Sequence, residues 1–230
     1  MRFAWLCIVV LLAGCTESTV RTDEATVAPL PEDSYLRVAD NSRVYRIDPQ
    51  RSVIIVRTGR EGPAARLGHD HAIASESVAG WVEVNDDPDR SRADIAFPIR
   101  ELIVDKPEYR DQLQLDTTPS ESDIAGTYTN MLKVIPPDVN PWITINATIA
   151  EPGTLAVAVT LSERTVNYLV PATIDSDGQR ATVRGSATIR HTDFGLSPFS
   201  AVGGLLRVSD ELGIRFDITA ERISPSRASP

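Results

Sequence analysis

Residues 182–190 read Thr-Val-Arg-Gly-Ser-Ala-Thr-Ile-Arg, and in this stretch small or apolar side chains alternate strictly with polar ones. The same period of two recurs in residues 92–99, 143–149, 155–161, 166–170 and 214–221. Successive side chains of a strand point to opposite faces, so each stretch has one apolar face and one polar face. The pattern is typical of antiparallel strands that bury one side of a sheet.

The number and spacing of these stretches indicate the architecture. Together with the apolar segments 44–47, 53–56 and 78–84 they give about eight strands at short separation. Many short strands predict a sandwich or a barrel, and a barrel leaves no exposed edge. We therefore predict an all-β fold, an antiparallel barrel of about eight strands, in one domain over residues 41–224 with a loose tail at 225–230.

One segment has the helical period instead. Residues 118–121, Thr-Pro-Ser-Glu, form a capping-box signature with Pro119 at the first helical position. Apolar residues follow at helical spacing, and two prolines at 136–137 end the run. These residues are Ile124, Tyr128, Met131, Leu132 and Ile135. We predict one inserted helix of about four turns that plugs or flanks an open end of the barrel, and a short helix near 107–113.

The charge of the chain excludes one class of partner. The formal net charge is −9 and the pI is about 4.9, and no basic stripe interleaved with aromatic residues occurs. Such a surface repels phosphate backbones, so nucleic acid is not expected to bind.

The N-terminus resembles the signal peptide of a bacterial lipoprotein. Two residues, Met-Arg, precede an apolar run at 3–13 that is too short to span a membrane as a helix. The run ends in Leu-Ala-Gly-Cys at 12–15, which resembles a lipobox. In a lipobox the signal peptide is cleaved before the cysteine, which becomes the first residue and is acylated, for example with palmitate. The alternative is an ordinary secretory signal in which Cys15 has no such role.

This resemblance predicts where in the cell the protein is located and how it is anchored to a membrane. We expect residues 1–14 to be the lipoprotein signal peptide and Cys15 to be the lipidation site. Residues 15–40, rich in Thr, Glu, Asp and Pro, are expected to form a flexible tether. Thr16 after the cysteine favours the periplasmic face of the outer membrane.

Three histidines are the main polar candidates. In Leu-Gly-His-Asp-His at 67–71, a strand would turn His69 and His71 to the same face, and His191 continues the apolar phase of 183–189. Three inward imidazoles would resemble a metal site with an open position. The alternative is that they are hydrogen-bonded interior residues or polar groups at the mouth of a ligand site.

The sequence contains the residue types of one catalytic site without the motif that accompanies it. Asp193, His191 and Ser200 supply the residue types of a hydrolase triad, but no Gly-x-Ser-x-Gly elbow occurs and strands do not alternate with helices. We therefore predict that the protein is not an enzyme. Trp81 and Trp142 fall on the polar phases of their strands, which favours rim or surface positions and leaves core packing open.

The C-terminal part resembles a known family. Asp-Phe-Gly-Leu at 193–196, Gly203 and Ile-Arg-Phe-Asp-Ile at 214–218 resemble the C-terminal signature of the YceI-like (polyisoprenoid-binding) family. Tyr-Arg-Ile-Asp-Pro at 45–49 and Pro-Trp-Ile at 141–143 also match its layout, so the resemblance covers about residues 44–223. It implies a lipocalin-like barrel that holds a long apolar chain. Leu-Gly-His-Asp-His at 67–71 replaces the family's more usual His-Leu-Gly segment, which would change the head group accepted.

The resemblance and the alternation together define a candidate ligand site. We predict that a hydrophobic molecule of isoprenoid or acyl type is bound, sequestered or transported in the barrel, with no other cofactor. The predicted lining comprises His69, His71, Phe97, Ile143, Ile145, Val157, Val159, Tyr168, His191 and Phe216. Two alternatives stay open: a metal-binding protein that uses His69, His71 and His191, and a filled barrel that serves as an envelope scaffold. The expected partners are the hydrophobic molecule, a membrane reached through the lipid anchor, and a second copy of the chain in a homodimer.

Overall fold

The computed structural model describes residues 28–39 and 43–223, and these contain three α-helices and twelve strands. The helices are α1 (Glu32–Leu36), α2 (Pro107–Gln112) and α3 (Glu121–Val134). The first six strands are β1 (Arg43–Ile47), β2 (Val53–Glu61), β3 (His71–Ser75), β4 (Ala79–Val84), β5 (Arg92–Pro98) and β6 (Ile103–Val104). The last six are β7 (Trp142–Glu151), β8 (Thr154–Leu161), β9 (Arg164–Ser176), β10 (Arg180–Arg190), β11 (Ser200–Ala201) and β12 (Leu206–Arg222).

Eight of these strands form a closed antiparallel ring. The order of neighbours is β1-β4-β5-β7-β8-β9-β10-β12, and β12 pairs with β1, with Ala220 opposite Ile47. Every pairing in the ring is antiparallel. The predicted all-β barrel of about eight antiparallel strands is therefore confirmed.

The extra strands β2, β3 and β6 prolong three strands of the ring. Along one edge of β12, residues 220–222 pair with β1 and residues 207–217 pair with β2, so β1 and β2 lie in series. In the same way β4 pairs with β1 and β3 pairs with β2, so β3 continues the line of β4. Likewise β5 pairs with β4 and β6 pairs with β3, so β6 continues the line of β5. One side of the barrel is therefore built from three interrupted strands.

The opposite side is regular. Two-residue turns at 152–153 and 162–163 join β7 to β8 and β8 to β9. Gly153 has φ +81° and Ser162 has φ +56°, because tight hairpin turns require positive φ in the loop. The Asn140 side-chain amide donates a hydrogen bond to the Ser162 carbonyl at 3.0 Å, which supports this otherwise unfavourable conformation.

The predicted four-turn helix is present as α3, but its cap differs from the prediction. Ser120 is the N-cap, and its hydroxyl accepts from the Asp123 amide while the Asp123 carboxylate accepts from the Ser120 amide. Pro119 therefore precedes the helix instead of opening it. The true capping box has the same spacing as the predicted Thr118–Glu121 pair, displaced by two residues.

Helix α3 packs beside β6 and turns one face to the interior of the barrel. The chain enters it after β6, which pairs with β3, and leaves it before β7. Its Tyr128 hydroxyl donates to the Arg100 carbonyl at 2.8 Å, beside β6. Residues spaced by three or four along the helix, including Thr127 and Met131, line the interior of the barrel. The predicted short helix is also present, as α2, and it covers the outer face of β2 and β3.

Residues 28–39, which the sequence predicts to be part of the tether, pack against the outside of the barrel. Tyr35 on α1 is completely buried, its ring stacks on Trp81 with 6.1 Å between centroids, and its hydroxyl donates to the Asp94 carboxylate at 2.6 Å. Burial and this carboxylate raise the pKa of the Tyr35 hydroxyl far above its ordinary value. The tether prediction is therefore wrong for 28–39, because Tyr35 gains a buried site there, and residues 15–27 lie outside the described part.

Trp81 accordingly differs from the prediction that favoured a rim or surface position. It does lie on the outer face of β4, but it is only 5% exposed because it packs in one buried cluster with Val44 and with Tyr35 of α1. Arg92 adds a cationic group 4.2 Å from the centre of the Tyr35 ring. This small outer cluster extends the packed domain to the N-terminal side of β1.

Several predictions fall on residues that the structure leaves undescribed. They concern the signal peptide at 1–14, the lipidation site Cys15 and the tail at 225–230. Among the described residues, none of the helices has the length and apolar character needed to cross a membrane.

Candidate functional site

The barrel encloses a cavity of about 640 Å³. The inward faces of the strands and one face of α3 line it, and most of the lining side chains are aliphatic or aromatic. All ten predicted residues lie on its wall: His69, His71, Phe97, Ile143, Ile145, Val157, Val159, Tyr168, His191 and Phe216. The alternation in the sequence therefore assigned these side chains to the correct face, and their part in binding a ligand stays a prediction.

The cavity runs along most of the barrel. Ala181 near one end of β10 and Ile189 near the other both line it. Eight residue steps at roughly 3.3 Å correspond to about 26 Å along the strand. A strand tilt of roughly 35–45° reduces this to about 20 Å along the barrel axis. The shape suits an elongated guest.

A glycine shapes the middle of this channel. Gly185 on β10 lies opposite Phe216 on β12, and a Cβ atom at Gly185 would come within 2.5 Å of the Phe216 ring and of the Pro171 carbonyl. Only a residue without a side chain lets the Phe216 ring lie across the neighbouring strand here. The sequence pair Gly185–Phe216 thus sets the local width of the cavity.

Tyr168 contributes a polar atom to the wall. Its hydroxyl donates to the Asp193 carboxylate at 3.0 Å, and its ring centroid lies 6.4 Å from that of Phe194. Burial and the Asp193 carboxylate raise the pKa of the Tyr168 hydroxyl. The phenol is therefore neutral at physiological pH and is held in one orientation.

The densest polar group in the wall is centred on His71, the first residue of β3. Its Nδ1 atom lies 2.6 Å from the Asp105 carboxylate, and its Nε2 atom lies 3.3 Å from the Thr127 hydroxyl on α3. Because ionised Asp105 can only accept, the Nδ1 atom of His71 donates to it, and Nε2 is turned toward α3. This arrangement fixes the orientation of the imidazole.

Asp105 is buried, and the fold is built around its carboxylate. The residue adopts φ +55°, and its carboxylate accepts hydrogen bonds from the Ala72 amide at 3.0 Å, from His71 and from Arg110. Burial by itself raises the pKa of Asp105, but the hydrogen bonds from His71 and Ala72 outweigh it and hold that pKa below the ordinary aspartate value. Asp105 is therefore ionised at neutral pH, and the guanidinium of Arg110 compensates its charge.

His69 lies beside His71 but precedes β3, so only His71 belongs to the strand that the sequence predicts for residues 67–71. The two ring centroids are 6.2 Å apart and the rings meet edge to face. The His69 Nε2 atom is 3.8 Å from the Asp123 carboxylate, and its Nδ1 atom is buried without a hydrogen-bond partner among the described residues.

The structure does not bring the three histidines into a metal site. No three His, Cys, Asp or Glu side chains in residues 28–39 and 43–223 are close enough together to hold a metal ion. His71 directs Nδ1 to Asp105, and the Nδ1 atom of His191 lies 3.2 Å from the Asp210 carbonyl. In the described residues the three rings therefore do not form one metal site, although all three line the cavity.

The fold is found in solved structures. The chain is similar to BcnA of Burkholderia cenocepacia, with 14% sequence identity, a TM-score of 0.50, and coverage of 75% of this chain and 98% of that one. A YceI protein of Campylobacter jejuni is similar at 12% identity, with a TM-score of 0.43 and coverage of 64% and 82%.

No protein-family model matches this chain. No curated protein matches it either. At such low identities the structural likeness concerns the fold. The chain therefore shares the closed β-barrel fold of BcnA, the architecture that its resemblance to the YceI-like family implies.

Proposed function

We propose that the barrel binds one long hydrophobic molecule, of isoprenoid or acyl type, and sequesters or carries it in the cell envelope. The observation that carries this proposal is the apolar cavity of about 640 Å³ that follows the barrel axis. Its volume lies within the range of roughly 300–1,000 Å³ that is usual for small-molecule sites. A filled scaffold barrel would have no such space.

The physical basis is the transfer of apolar surface out of water. Each 100 Å² of apolar surface that leaves water contributes roughly 2.5 kcal/mol. Binding also removes translational and rotational freedom from the guest, which costs on the order of several kcal/mol. A guest that occupies most of the channel offsets that cost without any bond being made or broken.

Extraction of the purified chain tests the proposal directly. We expect native mass spectrometry to show one apolar molecule per barrel, and the delipidated chain to take up a long-chain probe. Val157→Trp, which places an indole in the cavity, should abolish this binding. Leu169→Trp on the outer face of the next strand, where Leu169 is 72% exposed, is the matched control and should bind normally. A wild-type chain that neither carries nor takes up any apolar molecule would overturn the proposal.

The location beside a membrane is a second part of the proposal. It is supported by the lipobox-like Leu-Ala-Gly-Cys at 12–15, which predicts acylation of Cys15 and retention at the periplasmic face of the outer membrane. Metabolic labelling with a palmitate analogue should mark the wild-type chain, and Cys15→Ser should remove the label and release the protein into the soluble fraction. A labelled Cys15→Ser chain would contradict this part alone.

A further inference from the structure

Polar groups in the wall gather around His71. Thr58 on β2 lies directly opposite His71 on β3, both side chains line the cavity, and directly opposed residues have Cβ atoms roughly 5 Å apart. The Thr127 hydroxyl approaches the same imidazole from α3 at 3.3 Å. Two strands and a helix thus bring three hydrogen-bonding side chains to one place in an otherwise apolar channel.

Two of the groups at this place lack a partner. The Thr58 side chain is buried, with 5% of the residue exposed, and its hydroxyl oxygen has no hydrogen-bond partner in the described part of the chain. The same is true of the His69 Nδ1 atom, whose ring lies 6.2 Å from that of His71. Buried polar atoms are almost always satisfied in folded proteins, so unpaired ones on a cavity wall point to a ligand that pairs with them.

Asp105 prepares the imidazole for such a contact. Because Asp105, which is not among the lining residues, holds Nδ1 of His71, the ring is kept in one orientation with Nε2 toward Thr127. A polar atom of a guest would therefore meet groups that are already oriented.

The charges around the channel decide what kind of polar atom fits. Each arginine that lines the cavity has a carboxylate within 4 Å: Arg60 with Asp70, Arg92 with Glu83, and Arg207 with Glu61. Each imidazole of the pair also has one, Asp105 for His71 and Asp123 for His69. An anionic head group would find no unpaired guanidinium among the described lining residues, and two of these carboxylates, Glu83 and Asp123, lie on the cavity wall themselves. Hydroxyl and imidazole groups instead suit an uncharged guest atom.

We infer that Thr58, His71 and Thr127, with His69 beside them, form a head-group subsite that takes an uncharged hydroxyl or carbonyl oxygen of the hydrophobic guest. This inference rests on the proposed function, since the apolar channel would hold the rest of the molecule. It distinguishes long-chain alcohols, amides and ketones from fatty acids and phosphorylated lipids.

Chain-matched ligands test this inference. Hexadecane, hexadecanol, hexadecanamide and ionised palmitate would each compete with fluorescent N-phenylnaphthylamine for the delipidated chain at one pH well above the carboxyl pKa of palmitate. We expect the alcohol and the amide to bind about tenfold more tightly than the alkane, as one good buried hydrogen bond allows. Palmitate should bind more weakly than the alcohol.

Variants locate the effect. Thr127→Val keeps the shape of the side chain and should reduce the preference for alcohol over alkane to about twofold or less, as should His71→Phe. Thr129→Val, on the exposed face of the same helix, should leave the preference unchanged. If His71→Phe does not fold, Thr127→Val and the wild-type ligand series still carry the test.

The outcomes distinguish a failure of the head-group subsite from a failure of the proposed function. Equal affinity for alkane and alcohol, tighter binding of palmitate, or an undiminished preference in Thr127→Val would overturn the head-group subsite while the proposed function stands. Failure of all four ligands to displace the probe, or of the probe to bind, would instead overturn the proposed function.

Discussion

The two sides of the barrel follow different rules. The regular wall, β7 to β10, is paired in long registers with one irregularity, between Ile149 and Glu151, and its inward side chains are almost all aliphatic. The interrupted wall, β1 to β6 with α2 and α3, breaks three strands in succession and contains the buried charges of Asp105 and Arg110. The regular wall supplies a continuous apolar lining, whereas the strand breaks in the interrupted wall are the places where polar side chains line the cavity.

The largest effect is expected where the interrupted wall depends on a single carboxylate. Asp105→Ala leaves Arg110 buried without its counter-charge and removes the partner of His71, so we expect a loss of about 3–5 kcal/mol in the free energy of unfolding. Asp111→Ala, an exposed aspartate on α2, is the control and should change it by less than about 0.5 kcal/mol. Urea denaturation measures both, and equal small losses would show that the interrupted wall does not rely on this site.

Acid provides a second view of the same carboxylate. The pKa of Asp105 is lower in the folded protein than in the unfolded chain, so its contribution is fully present above its unfolded pKa of about 3.9 and is lost as pH falls through the folded value. The stability difference between wild type and Asp105→Ala should therefore shrink on acidification below about pH 4. A difference that grows on acidification would contradict this assignment.

In the regular wall we expect packing to dominate. Gly185→Ala forces a methyl group to within 2.5 Å of the Phe216 ring and the Pro171 carbonyl, which should cost about 1–3 kcal/mol and change the width of the channel. Gly213→Ala, whose Cβ would meet only Arg57 at 3.7 Å, is the matched strand glycine and should be nearly neutral. Thermal unfolding and probe binding measure the two consequences. If the two alanines behave alike, the close approach at Gly185 has no energetic weight.

A smaller loss is expected on the outer face of the interrupted wall. Tyr35→Phe keeps the stacking on Trp81 and removes the hydrogen bond to Asp94, for which we expect a loss of about 1–2 kcal/mol. Tyr128→Phe removes a hydrogen bond from an exposed hydroxyl to the Arg100 carbonyl and should cost less. Chemical denaturation of the pair ranks them, and the reverse ranking would mean that residues 28–39 add little to the domain.

The smallest expected effect is a gain. Gly126 on α3 has open space where a Cβ would be placed, so Gly126→Ala should raise the free energy of unfolding by about 0.5–1 kcal/mol through helix propensity. The reciprocal change Ala125→Gly, on the exposed face of the helix, should lower it by a similar amount. A loss in Gly126→Ala would show that this part of the interrupted wall is packed more tightly than the cavity suggests.

The difference between the walls also explains what the sequence could predict. In the regular wall the period of two is unbroken, so inward residues such as Ile145, Val157 and Val159 follow from alternation alone. In the interrupted wall the pattern stops every few residues. His71 could be singled out by its residue type, but Thr58 becomes its neighbour only through the pairing of β2 with β3.

Two further features, the buried Asp105 and the helix α1, could not be predicted from the sequence, for physical reasons. Asp105 stands in Asp-Lys-Pro, which is an ordinary turn signal, and its burial depends on contacts with Ala72 and Arg110 that no local pattern shows. The short helix α1 lies in an acidic, proline-containing stretch in which Tyr35 is the main apolar anchor. The spacing of Leu30, Tyr35 and Val38 was the available indication of a packed segment. Three apolar residues are too few to outweigh the acidic, proline-containing composition, which is typical of a tether.

Helix α3 is held to the barrel in a different way from the strands. Neighbouring strands are joined by ladders of backbone hydrogen bonds, so parting them breaks several bonds of about 1 kcal/mol each. A helix satisfies its backbone internally, and α3 is attached to its surroundings by side-chain contacts such as Tyr128 with Arg100 and Thr127 with His71. We therefore expect an outward swing of this helix to break fewer backbone hydrogen bonds than the parting of two strands, and it would separate Thr127 from His71.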